Sequence, residues 1–342
     1  MKKKIEVLIV DDSIFFREAL NMQLSRDPDL IVVGEAQDAA EAIVKIEALK
    51  PDVITLDVEM PGMNGIEFLR RVMPSYAIPV VVVSSVNSCV FDALSAGALD
   101  FVAKPDTRAR IGYDLFINEL KVKIKVASTA NRSILKAMTN GPEAPASSAK
   151  QPGIIAIGAS TGGTEAIYEV VKELPRNIPG IVVVQHMPPV FTRMYAERLN
   201  NSCILEAKEA ENGDRIYPGR MLVAPGDFQL RVKKGPGGYF VECTKEEKVS
   251  GHCPSVDVLF QSVADKAEGD AIGILLTGMG SDGAKGLLEM RRKGSITIGQ
   301  DESTSVVYGM PRVAYEIGAV GKQLPLSKIS AEIMRILHIV QS

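Results

Sequence analysis

Several short apolar runs in the first third of the chain end in residues suited to phosphoryl chemistry. Asp11 and Asp12 follow EVLIV, Asp57 closes DVITLD, Ser84 follows IPVVVV and Lys104 closes DFVAK. In an open parallel sheet such positions fall along the carboxyl edge, where ligands bind. Three carboxylates at one edge repel each other unless a cation sits among them, and oxygen ligands on rigid loops suit Mg²⁺. A carboxylate so placed, with a metal and a lysine beside it, can accept a phosphoryl group as an aspartyl phosphate. A single strand-end aspartate is ordinarily a helix cap. The whole set, in this order, is what distinguishes this edge.

A second chemistry is spelled by IIAIGASTGGTEA (154–166). Gly158-Ala159-Ser160-Thr161-Gly162 reads as G-x-S-x-G between an apolar run and a helical pattern, the setting of a nucleophile elbow. The same glycine-rich turn can cradle a phosphate. A serine nucleophile needs a base and a group that orients the base. The chain has three histidines, of which His186 directly follows the next apolar run, GIVVVQ (180–185). Adjacent parallel strands bring their carboxyl ends side by side, so Ser160 and His186 are expected to face each other. His252 lies in an irregular stretch and stays a candidate, whereas His338 sits in a terminal helical pattern. The third group is expected from AIGILLTGMGSDGAKGL (271–287), where Asp282 follows an apolar run and precedes a helix. Backbone N–H groups near Met279 in that loop can stabilise an oxyanion. The order Ser160, His186, Asp282 differs from the serine, acid, histidine order of α/β-hydrolases. The same loop, Gly278 to Gly283, also reads as G-x-G-x-x-G, and Asp301 follows the next strand, so a dinucleotide site competes. A carboxylate at Asp282 beside a pyrophosphate is electrostatically poor, and that reading leaves the pairing of Ser160 with His186 unexplained.

The elements that must hold these residues can be read from periodicity. Over residues 5–126 the apolar runs alternate with amphipathic stretches such as SIFFREALNMQL and AAEAIVKIEALK, the pattern of five βα units in a doubly wound parallel sheet. Residues 127–152 lose that periodicity and fill with Ala, Ser, Pro and Gly, so a linker is expected there. From 153 to 342 a second parallel α/β domain is expected, with strands at GIIAIG, GIVVVQ, AIGILLT and SITIGQ and a less regular insertion around 205–255.

Composition narrows the function classes. A chain of 342 residues favours two domains, and a net charge of −3 with evenly mixed signs gives no reason to expect nucleic acid. MKKKIEVLIV opens like a signal peptide, but Glu6, Asp11 and Asp12 interrupt an apolar stretch too short to span a bilayer. No membrane insertion is expected. The four cysteines form no C-x-x-C pair, which fits free thiols in a cytoplasmic protein.

VLIVDDS, DVITLDVEMPGMNG, VVVVSS and DFVAKP resemble the receiver domain of two-component response regulators across nearly all of residues 5–126. The resemblance implies that Asp57 is the phosphoacceptor and that Asp11 and Asp12, with Asp57, hold Mg²⁺. It also implies that Ser84 follows the phosphoryl group and that Lys104 is the strand-end lysine. Phe101 falls at the aromatic switch position, where ordinary core is the plainer reading. GASTGGTEAI, QHMPPVFTRMYAERLN, VAPGD, PSVDVLFQSVA, LTGMGSDGAKGL and YGMPR resemble the catalytic domain of the chemotaxis protein-glutamate methylesterases, the CheB family, from about 153 to 325. A receiver followed by this domain is that family's architecture.

The resemblance implies a phosphorylation-activated serine esterase that releases methanol from glutamyl γ-methyl esters on chemoreceptors. Ser160, His186 and Asp282 would form the triad, and Met279 N–H would serve the oxyanion. Ester hydrolysis would need no cofactor. Receptor glutamine deamidation is open as well, since an amide passes through the same intermediate. The phosphodonor would be a chemotaxis histidine kinase, and the unphosphorylated receiver is expected to cover the catalytic strand edge.

Overall fold

The computed structural model describes residues 3–60, 63, 65–84, 90, 93–94, 96–105, 110–130 and 153–339. The chain divides into two compact units, residues 1–139 and 140–342. Beyond residue 130 the expected linker lies outside the described residues.

In the first unit, β1 (Ile5–Val10), β2 (Leu30–Ala36), β3 (Val53–Leu56), β4 (Val80–Ser84) and β5 (Asp100–Ala103) pair in the order β2-β1-β3-β4-β5. Every pair is parallel. β3 and β4 are buried along their whole length, which is why they read as unbroken apolar runs. The helices described with them are α1 (Ile14–Leu24), α2 (Ala39–Leu49) and α3 (Gly65–Tyr76), and α4 (Arg110–Ala127) after β5. Ser13 and Asp38 cap the first two, each side chain accepting a backbone N–H of the first turn.

The second unit begins in the middle of its sheet. β6 (Ile154–Ala159) leads through α5 (Gly163–Val171) to β7 (Gly180–Gln185) at its side. After α6 (Phe191–Ser202), β8 (Glu206–Glu209) and β9 (Arg220–Val223) extend the sheet outward. An antiparallel hairpin, β10 (Gln229–Gly235) with β11 (Gly238–Thr244), stands apart from that sheet. α7 (Val256–Ala267) then returns the chain to β12 (Ala271–Leu275) on the other side of β6. α8 (Ala284–Arg292), β13 (Ile296–Gln300), α9 (Met310–Glu316), β14 (Lys322–Leu324) and α10 (Leu326–Ile336) complete the fold. The strand order is β14-β13-β12-β6-β7-β9-β8, parallel throughout.

The stretch around 205–255 is more ordered than its sequence suggests, because β8 and β9 belong to the main sheet. β8 is the outer strand, and of its EAKE only Ala207 is buried, so it carries almost no apolar signal. The order reverses between β6 and β12, and such a switch point opens a crevice at the carboxyl ends of the strands. Ser160 and the loop holding Asp282 lie on its two sides. Among the described residues no helix is long and apolar enough to cross a membrane.

Candidate active site

In the first unit the expected acidic edge is assembled. Ligand oxygens of Asp11, Asp12 and Asp57 lie within 4.8 Å of one another, with Asp11 and Asp57 buried and Asp12 exposed. Lys104 Nζ bridges Asp11 Oδ2 at 2.9 Å and Asp57 Oδ2 at 2.5 Å. The other oxygen of each buried carboxylate accepts a backbone N–H, from Ser13 for Asp11 and from Glu59 for Asp57. Burial pushes the Asp11 carboxyl up, as does the Asp57 charge, and Lys104 only partly offsets this. Burial works against the Lys104 charge, but the two carboxylates outweigh it and hold its ammonium above the ordinary range. A cluster of hard oxygen donors with surplus negative charge fits Mg²⁺. Ser84 is buried at the end of β4, and its carbonyl accepts the Lys104 N–H at 2.8 Å. Phe101 is a buried residue of β5, with Lys123 Nζ 5.1 Å from its ring centroid.

In the second unit, β6 ends at Ala159 and the chain turns sharply. Gly162 adopts φ +77°, a conformation glycine enters without steric cost, and α5 starts at the next residue. Ser160 N–H donates to Thr277 O at 3.0 Å, which ties the elbow to the loop after β12. His186 N–H donates to Ala159 O at 3.2 Å. Gln185 adds a clamp, its Nε2 donating to Ser160 O at 2.9 Å and to His186 O at 3.2 Å. The serine and histidine loops are therefore fixed to each other through their backbones.

His186 Nε2 lies 2.8 Å from Asp282 Oδ2. Asp282 also accepts from Ser255 Oγ and Val256 N–H, both at 2.7 Å, and from Asp257 N–H at 3.1 Å. The last two are free N–H groups at the start of α7, where the helix end favours an anion. Burial raises the Asp282 carboxyl, but His186, Ser255 and Val256 together outweigh it and hold it below the ordinary carboxylate range. The carboxylate thus stays ionised although only 2% exposed.

Because Asp282 takes Nε2, the basic nitrogen of a neutral His186 is Nδ1. That atom is buried and has no hydrogen-bond partner among the described residues. Ser160 Oγ makes no hydrogen bond with any described residue either. An unpaired acceptor and an unpaired donor thus sit on adjoining loops, and catalytic hydrogen bonds in unliganded sites are commonly open until substrate binds. The Met279 N–H is likewise unpaired among the described residues, and the residue is 49% exposed.

The loop that could have held a dinucleotide is spent on this arrangement. Its carboxylate points at His186 and α7, and Gly278 N–H donates to Val307 O while Gly278 O accepts from Gly309 and Met310 N–H. Asp301 is occupied in its own turn, accepting from Thr304 N–H and from the Ser303 and Thr304 hydroxyls. His338 follows α10. His252, kept open by the sequence, stacks face to face on His186 with centroids 3.6 Å apart. Neither the caging of Asp282 by α7 nor the clamp from Gln185 has a signature in the local sequence.

Gly278 lies hard against Ser160. A Cβ there would stand 2.7 Å from Ser160 Cβ and 2.4 Å from Met310 Sδ. Gly278→Ala is expected to lower kcat about 10²-fold through displacement of Ser160. The accompanying stability cost, from overpacking, is about 1–3 kcal/mol. Steady-state kinetics and urea unfolding of the same preparation check both figures.

The CheB methylesterase family model matches residues 155–333. A curated relative from Syntrophomonas wolfei, a protein-glutamate methylesterase/protein-glutamine glutaminase, is 56% identical over 340 residues, covering 98% of each chain. The chain belongs to the CheB methylesterase family. A second relative of the same description, from Syntrophotalea carbinolica, is 48% identical and covers 98% of this chain. The response regulator receiver domain model matches residues 7–113, ahead of the CheB region. The solved CheB methylesterase catalytic domain of Thermotoga maritima is 39% identical, covers 54% of this chain and 98% of its own, and superposes with a TM-score of 0.52. In this CheB-family chain the matched region contains Ser160, His186 and Asp282.

Proposed function

We infer that the protein is a phosphorylation-regulated hydrolase of glutamyl γ-methyl esters on chemoreceptors, and of receptor glutamine amides, serving chemotactic adaptation. The observation that carries this reading is the His186–Asp282 pair, with an unpaired Nδ1, on a loop tied by backbone hydrogen bonds to the serine turn at the sheet's switch point. Ser160 Oγ attacks the ester carbonyl and its proton passes to His186 Nδ1. The imidazolium so formed is stabilised by Asp282 through Nε2. The Met279 N–H receives the oxyanion. Collapse expels methanol, which takes the proton from Nδ1. Water then attacks the glutamyl-enzyme with Nδ1 again as base, restoring Ser160 and leaving a glutamate. An amide substrate follows the same course and releases ammonia. Side chains and backbone of this chain supply every group in that sequence.

Regulation is assigned to Asp57. Its carboxylate takes the phosphoryl group from a chemotaxis histidine kinase, the P–N bond of the donor breaking as the P–O bond to Asp57 forms. Asp11, Asp12 and Asp57 would hold Mg²⁺, which when bound screens the negative charge of the incoming phosphoryl group. Lys104, already on Asp57, is placed to pair with that group afterwards. On this reading the reaction takes place in the cytoplasm.

The test is methanol release from membranes bearing methylated chemoreceptors, with and without a small-molecule phosphodonor. The wild-type rate is expected to rise with the donor. Asp57→Asn is expected to keep the basal rate and lose the rise. A variant still stimulated by the donor would remove Asp57 from the scheme.

A further inference from the structure

His186 is braced by more than its carboxylate. The His252 ring lies against it with centroids 3.6 Å apart and planes 6° from parallel. We propose that His252 is a positioning residue, a flat platform that fixes the plane of the His186 ring and so keeps Nδ1 directed at Ser160. The proposal rests on the reading of His186 as the base.

The need for such a platform follows from which nitrogen Asp282 holds. Rotation about Cβ–Cγ of histidine has a broad, soft profile. Nε2 lies nearer that rotation axis than Nδ1 does. A hydrogen bond at Nε2 therefore brakes the rotation less than one at Nδ1 would. With Nε2 on Asp282, the atom left to swing is the one that must meet the serine. A ring lying flat on the imidazole blocks the swing directly, because rotation would drive an edge into it.

The platform is itself held firmly. Val249 and His252 exchange both backbone hydrogen bonds at 2.9 Å across Ser250 and Gly251, whose φ values are +52° and +85°. Positive φ at both central residues is the mark of a tight hairpin turn. Gln229, fully buried, donates Nε2 to Glu247 O at 3.2 Å and to His252 O at 3.3 Å. Its Oε1 accepts Ser255 N–H at 2.9 Å, and Ser255 Oγ donates to Asp282. One buried amide thus sets the platform and the carboxylate in register. Chemistry fits the role as well. Burial first, then the charges of His186 and Lys248, push His252 down to about 4, with Asp282 acting in the opposite sense. At neutral pH the platform is uncharged, so His186 can take up a proton without a second cation against its face.

The experiment compares His252→Ala, His252→Leu and His252→Phe in the full chain, with Ser160→Ala and His186→Gln as controls, by kcat and KM for methanol release from methylated receptor membranes. Ala and Leu are expected to lower kcat about 10- to 100-fold with little change in KM, as small misplacements of reacting groups do. Phe, which keeps a flat face, is expected to stay within about threefold of wild type. Ala or Leu at the wild-type kcat overturns the proposal. So does a folded Phe variant as slow as Ala, since the ring nitrogens and not the plane would then matter. Where Ala or Leu disturbs folding, the Phe result alone decides. Activity in either control would instead overturn the assignment of the base and nucleophile, a separate outcome.

Discussion

Ser160→Ala is expected to lower methanol release by about 10⁴-fold or more, the scale of nucleophile loss in serine hydrolases. The substitution keeps Cβ and removes only Oγ, which makes no hydrogen bond with any described residue. The backbone ties from Ser160 to Thr277, Gly163 and Gln185 are untouched. Stability should then stay within about 0.5 kcal/mol of wild type. A serine-directed fluorophosphonate is expected to label the wild type and not the variant. Full demethylation by purified Ser160→Ala would refute the mechanism outright, because the proposed acyl-enzyme forms on the Ser160 Oγ.

Asp282→Asn is expected to cost both rate and stability. For the rate, an amide in place of the carboxylate no longer stabilises the imidazolium and can hold the wrong tautomer of His186, a change worth about 10⁴-fold in kcat in other triads. For stability, the carboxylate accepts from Ser255 Oγ, Val256 N–H and Asp257 N–H as well as meeting Nε2. Asparagine offers one acceptor oxygen and two N–H donors, so at least one buried donor is set against another. The loss should be about 2–4 kcal/mol. The pH dependence carries a sign. A carboxyl held below its ordinary range when folded contributes stability that is present above about pH 4 and lost as the pH falls through the folded value. Urea midpoints between pH 7 and pH 3 should therefore fall less steeply for Asp282→Asn than for wild type. Equal slopes would mean that the carboxylate is not held as described.

The strands that carry the site were legible because a parallel sheet covered on both faces demands unbroken apolar runs. GIIAIG, GIVVVQ and AIGILLT supply them, and the residues just past each run are Ser160, His186 and the Asp282 loop. β8 was not legible, since an outer strand needs little burial, and EAKE looks like any solvated segment. The caging of Asp282 by the first turn of α7 joins residues 25 to 27 positions apart, and no local pattern announces it. A serine before an amphipathic run, as at Ser255, suggests a helix start. It does not say that the free N–H groups serve a distant carboxylate in place of the serine's own hydroxyl. His252 stayed undecided for a related reason: ring stacking between loops leaves no periodic trace.

The position of β6 also bears on how the chain is made. Of the strands in this sheet, β6 and β7 emerge first during synthesis, β8 and β9 extend one flank, and β12 begins only 117 residues after β6 does (271 against 154). Until then the strand that will be central is an open margin, wholly apolar and with unpaired backbone groups. Such a margin is a template for pairing with another chain. A message truncated before residue 271 would yield sticky, aggregating fragments and not a smaller folded enzyme, and ribosome-associated chaperones would have most to guard in that interval.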